Sequence, residues 1–103
     1  MKTTYLLTID LRDGFYNDTV VVLADGLEVY RQGNVTTRTM TGFADSMITK
    51  LKPGQHSLRV LLLEKEVSTE IKLDIQTPLY LGLEYKPQKG LEYMLQGEPF
   101  RYM

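Results

Sequence analysis

Over Val67-Ser68-Thr69-Glu70-Ile71-Lys72-Leu73-Asp74-Ile75 the odd positions are apolar or Thr and the even positions polar, a period of two that predicts a strand with one dry and one wet face. Leu79-Tyr80-Leu81-Gly82-Leu83-Glu84-Tyr85-Lys86 repeats the pattern after Pro78, whose missing N–H costs least at a strand start. Tyr5, Leu7, Ile9 and Leu11 form a third stripe, and Leu58, Val60 and Leu62 a fourth. The centre of the predicted core is Leu58, Val60, Ile71, Leu73, Leu81 and Leu83.

Turn chemistry divides these stripes. Only Asp25-Gly26 separates Val20-Val21-Val22-Leu23-Ala24 from Leu27-Glu28-Val29-Tyr30, and that pair suits a two-residue type I′ hairpin. Pro53-Gly54 predicts a type II turn before the strand that starts near Gln55, with Gly54 taking the positive φ. Lys65-Glu66 and Lys89-Gly90 mark two further hairpins. Residues 31–43 hold four threonines without an apolar stripe and read as a long loop or a wet edge strand. Phe43, Met47 and Leu51 fit either a short helix or one face of a strand, and the strand is favoured because Ile48 and Thr49 are β-formers leading into a turn. The expected fold is all-β: an antiparallel β-sandwich of seven or eight short strands, immunoglobulin-like or transthyretin-like.

A chain of 103 residues fits one domain, 1–103, with 97–103 an extended tail that folds back over an open end of the sandwich or adds to the edge of a neighbouring copy. The absence of cysteine excludes disulfides, thiolate zinc sites and cysteine nucleophiles. A net charge of −1 argues against nucleic acid as a partner. The opening residues alternate rather than forming a continuous apolar stretch, so neither a signal peptide nor a membrane span is expected. The chain reads as soluble, cytoplasmic by default and exported if cut from a longer protein. Charge is uneven: residues 1–30 are mostly acidic and 31–52 mostly basic, which predicts cross-strand pairing or opposite patches in a head-to-tail assembly.

The run Val20 to Val29 with its Asp-Gly turn, the Thr-bearing loop, and Leu51-Lys52-Pro53-Gly54-Gln55-His56-Ser57-Leu58-Arg59-Val60 together resemble the PEGA domain over roughly residues 18–76. The family's Pro-Glu-Gly-Ala tetrapeptide is absent, as is its Thr-Pro dipeptide, replaced here by Val35-Thr36-Thr37. The resemblance implies a transthyretin-like sandwich and a non-catalytic module attached to larger surface or envelope proteins, in adhesion or polysaccharide contact. It implies no residue-level site.

Candidate chemistry is sparse. His56 is the only histidine, and Ser57 beside it points to the opposite face, so the ring is expected to hydrogen-bond the Pro-Gly turn rather than to catalyse. Asp10, Asp13, Asn17 and Asp18 offer hard oxygen ligands for calcium, though not at EF-hand spacing, and the same residues are good turn formers. Seven tyrosines without tryptophan suggest a binding platform. Tyr30 and Tyr80 are expected opposite the apolar stripes and partly exposed, whereas Tyr5, Tyr85 and Tyr93 align with the core. Phe100 and Tyr102 make the tail aromatic. The expected function is a non-enzymatic interaction or structural module that binds a protein partner or its own copy through sheet edges and tyrosines, without a cofactor. The alternatives are a carbohydrate-binding domain, using the same tyrosines and the Thr-rich loop, and a calcium-dependent binding module. A hydrolase built on Asp10, Asp13, Asp18 or His56 is the enzymatic alternative.

Overall fold

A computed structural model describes residues 3–102; Met1 and Lys2 of the opening segment and Met103 of the tail lie outside the described residues. Among the described residues eight strands and no helix are found: β1 (Tyr5–Leu11), β2 (Asp18–Ala24), β3 (Leu27–Val35), β4 (Asp45–Leu51), β5 (Gly54–Leu62), β6 (Val67–Ile75), β7 (Leu79–Lys86) and β8 (Gly90–Gln96). They form two four-stranded sheets, β4-β1-β7-β8 and β3-β2-β5-β6, stacked as a sandwich. Pairing is antiparallel except between β1 and β7, which run parallel with Leu7 opposite Leu79 and Leu11 opposite Leu83. This seam departs from the all-antiparallel expectation: alternation orients a strand's faces but does not name its neighbour.

The stripes bury as expected. Leu58, Val60, Ile71, Leu73, Leu81 and Leu83 are almost wholly enclosed, joined by Leu7, Ile9 and Leu11 from β1. Segment 45–51 is a strand with Met47, Thr49 and Leu51 on its more buried face. Asp25 and Gly26 both take positive φ, +50° and +84°, the conformation of a type I′ turn, and Ala24 faces Leu27 across it. Pro53-Gly54 carries the chain from one sheet to the other, and Gly54 has φ +115°. Lys65-Glu66 belongs to a four-residue connection in which the Glu66 N–H donates to the Leu63 carbonyl.

One expectation fails and another holds only in its facing. Tyr30 points inward: β3 carries a bulge at Val29, so Val22 pairs with Tyr30 while Leu23 pairs with Glu28, and the extra residue reverses the alternation beyond it. Tyr93 does share the inward row of Leu83, but β8 is the outermost strand and leaves its ring 52% exposed. The Thr-rich stretch is divided. Residues 31–35 complete the edge strand β3, whereas Thr36 and Thr37 latch a loop: their hydroxyls accept from Asn17 N and Phe15 N, and Thr37 Oγ1 donates to the Arg12 carbonyl.

Candidate interaction surface

The outer face of the β4-β1-β7-β8 sheet is made by the residues that alternate with the core. Register aligns Ser46, Asp10, Gly82 and Met94 in one cross-strand row and Ile48, Thr8, Tyr80 and Gln96 in the next. Gly82 leaves a gap in the first row, and the segment after β8 fills it. A Cβ on Gly82 would stand 2.8 Å from Phe100 Cζ and 3.0 Å from Arg12 Cδ, so a glycine is what admits the ring. The Arg12 guanidinium lies 4.7 Å from the Phe100 ring centre and 5.6 Å from that of Tyr102, a pair of cation–π contacts on a partly enclosed cation.

Tyr102 closes the arrangement. Its hydroxyl donates to Asp10 Oδ2 at 2.8 Å, Ser46 Oγ donates to Asp10 Oδ1 at 2.9 Å, and its ring meets Phe43 edge-on at 5.0 Å. Burial, then the Asp10 hydrogen bond and charge, push the Tyr102 phenol well above the ordinary tyrosine range. The segment therefore folds back, as one of the two expectations has it, but over an outer sheet face rather than an open end. Beside it, Arg12, Gly82, Glu84, Lys86, Glu92 and Met94 border a hollow of about 130 Å³. Glu84 and Glu92 oppose each other across β7 and β8, and each has its own cation: Arg12 at 3.6 Å and Lys86 at 3.2 Å.

The four oxygen-bearing residues do not converge. Asp10 faces Ser46 and Tyr102, whereas Asp18 is buried against Lys65, with Oδ2 also accepting from the Tyr16 N–H. Asp13 is exposed beside Gly42, and Asn17 occupies a turn at φ +48°. Among the described residues no group of three or more His, Cys, Asp or Glu side chains is placed to hold a metal ion. Of the two tyrosines, Tyr30 uses its hydroxyl on Asp45 and lies half-buried against the core, while Tyr80 lies half-buried on the outer face of the other sheet. Burial, followed by the Asp45 hydrogen bond, raises the Tyr30 phenol above its ordinary range.

His56 joins two turns as well as binding the one expected. Nε2 faces the Lys52 carbonyl at 2.7 Å and Nδ1 the Asp25 carboxylate at 2.5 Å, while Ser57 N donates to the other Asp25 oxygen at 2.9 Å. With both ring nitrogens engaged, none is free to take a proton from a nucleophile.

Sequence reading missed Arg12, Gly82 and Ser46. A lone glycine inside the β7 stripe was the available signal, since such a residue often marks the close approach of another group. It also missed the exposed Tyr93-Met94-Leu95 run on β8, at 52%, 52% and 39%. No protein-family model and no curated protein sequence matches the chain.

Proposed function

We propose that this chain is a non-enzymatic interaction module that pairs through the edge strand β8, with a second copy of itself in the first instance. The observation that carries this reading is the run Tyr93-Met94-Leu95, three consecutive apolar residues exposed on a sheet edge. The other edges are guarded: β3 by two bulges and the Glu28–Arg31 pair, β6 by Glu70, Lys72 and Asp74, and β4 by Lys50. On β8 the sole charge, Glu92, is engaged by Lys86. An antiparallel two-fold about Tyr93 sets Leu91 against the second copy's Leu95 and Glu92 against its Met94, so no like charges oppose. The PEGA-like pattern of residues 18–76 supports the same non-catalytic reading.

Light scattering across a concentration series tests it. Wild type should rise from the 11.9 kDa chain mass toward twice that value, and Met94→Lys or Leu95→Lys should hold the protein at 11.9 kDa with an unchanged circular-dichroism spectrum. A wild type that stays at the single-chain mass throughout removes self-pairing.

A further inference from the structure

Segment 97–102 is held on the sheet by its side chains. Phe100 rests on Gly82, Tyr102 binds Asp10 and Phe43, and Arg12 stacks against both rings. Among the described residues the segment makes no backbone–backbone hydrogen bond to any strand. The connection to β8 is Gly97-Glu98-Pro99, all three exposed, with the Glu98 carbonyl accepting from Gln96 Nε2. A socket of this kind distinguishes its own segment from an identical one on another molecule only by effective concentration, of order mM for a short connection.

We propose that the socket of Gly82, Arg12, Asp10 and Phe43 is a docking site for Phe100 and Tyr102 of a second copy, the segment passing between molecules. Exchange keeps every contact of the closed form and needs only the exposed connection to rotate, which is what makes swapped dimers inexpensive to form. In dilute solution the intramolecular segment wins. Crowding copies to about 1 mM, or disabling one molecule's own segment, shifts occupancy to the neighbour's. The site is separate from β8 edge pairing and does not depend on it.

Two full-length variants test this. Phe100→Ala/Tyr102→Ala retains an open socket without a competent segment. Gly82→Leu retains the segment but fills its own socket, since even a Cβ there lies 2.8 Å from Phe100 Cζ. Residue 82 is not in the positive-φ region, so the strand accepts a side chain. Mixed in equal amounts, the two should form a one-to-one dimer of twice the 11.9 kDa chain mass, at least tenfold more abundant than dimer in either separate solution. A mixture whose mass is the mean of the separate solutions overturns the proposal. Both variants also carry Leu95→Lys, which removes edge pairing through β8, so that pairing cannot imitate the result. If circular dichroism shows the double variant unfolded, Phe100→Ala replaces it and the same two outcomes decide.

Discussion

At the scale of single residues, the two His56 ring nitrogens face two acceptors, the Asp25 carboxylate and the Lys52 carbonyl, an arrangement that only the imidazolium satisfies at both positions. The Asp25 hydrogen bond, then the Lys52 carbonyl, raise the His56 pKa above its ordinary 6.5, while the His56 hydrogen bond, then the Ser57 N–H, lower that of Asp25 below 3.8. The histidine's contribution is complete below pH 6.5 and fades as pH rises through the raised folded-state value. That of Asp25 is complete well above pH 3.8 and fades as pH falls through its lowered value. The tie between the two turns is therefore strongest from about pH 5 to 6. His56→Gln should lower stability there by about 1 kcal/mol, a modest figure because the Asp25 carboxylate is half exposed and screened. Thermal melts at intervals from pH 4 to pH 9 check it: the wild-type advantage over His56→Gln should shrink on the alkaline side. An advantage independent of pH would mean the ring acts by packing rather than by charge.

Strands expose the limit of reading periodicity. Alternation orients β5, β6 and β7 correctly because none of them carries a bulge, and Asp25-Gly26 identifies its hairpin because few residue pairs tolerate two successive positive φ values. In β3 the extra residue at Val29 inverts the pattern, and nothing in Leu27-Glu28-Val29-Tyr30 announces it. The consequence is structural: Tyr30, turned inward, donates to Asp45 of β4 and so bridges the two sheets along one flank. On the opposite flank β6 and β8 face each other, and Tyr93 and Leu95 remain exposed. Tyr30→Phe keeps the ring and removes only the bridge. It should cost about 1 kcal/mol, with faster amide exchange in β3 and β4 and little change in β6 and β8; uniform acceleration across all strands would show that the bridge has no local role. The outer-face socket was hidden for a related reason: it needs Arg12, Gly82 and Phe100 together, residues that only the β1–β7 pairing brings to one place.

For the molecule as a whole, that parallel pairing decides when the sandwich can close. The β3-β2-β5-β6 sheet is assembled from two hairpins and the β2–β5 contact, all within residues 18–75. The other sheet waits for β7, because β1 stands between β4 and β7 and meets Leu79 to Leu83 in its register. Closing so long a stretch of chain costs entropy before any contact offsets it, so seam contacts should form after those of the β2–β5 sheet. Leu81 and Leu58 are both completely buried aliphatic residues in the shared core, one at the seam and the other in the earlier sheet. Truncation of either to alanine should cost about 2–5 kcal/mol, a large share of a typical total of about 5–15 kcal/mol. The kinetics should separate them. Leu81→Ala should speed unfolding and leave the folding rate nearly unchanged, whereas Leu58→Ala should slow folding, since a contact already formed at the barrier is lost from both the barrier and the native state. Denaturant-dependent folding and unfolding rates for the two variants provide the test, and a folding rate reduced equally by both would place the parallel seam inside the folding nucleus.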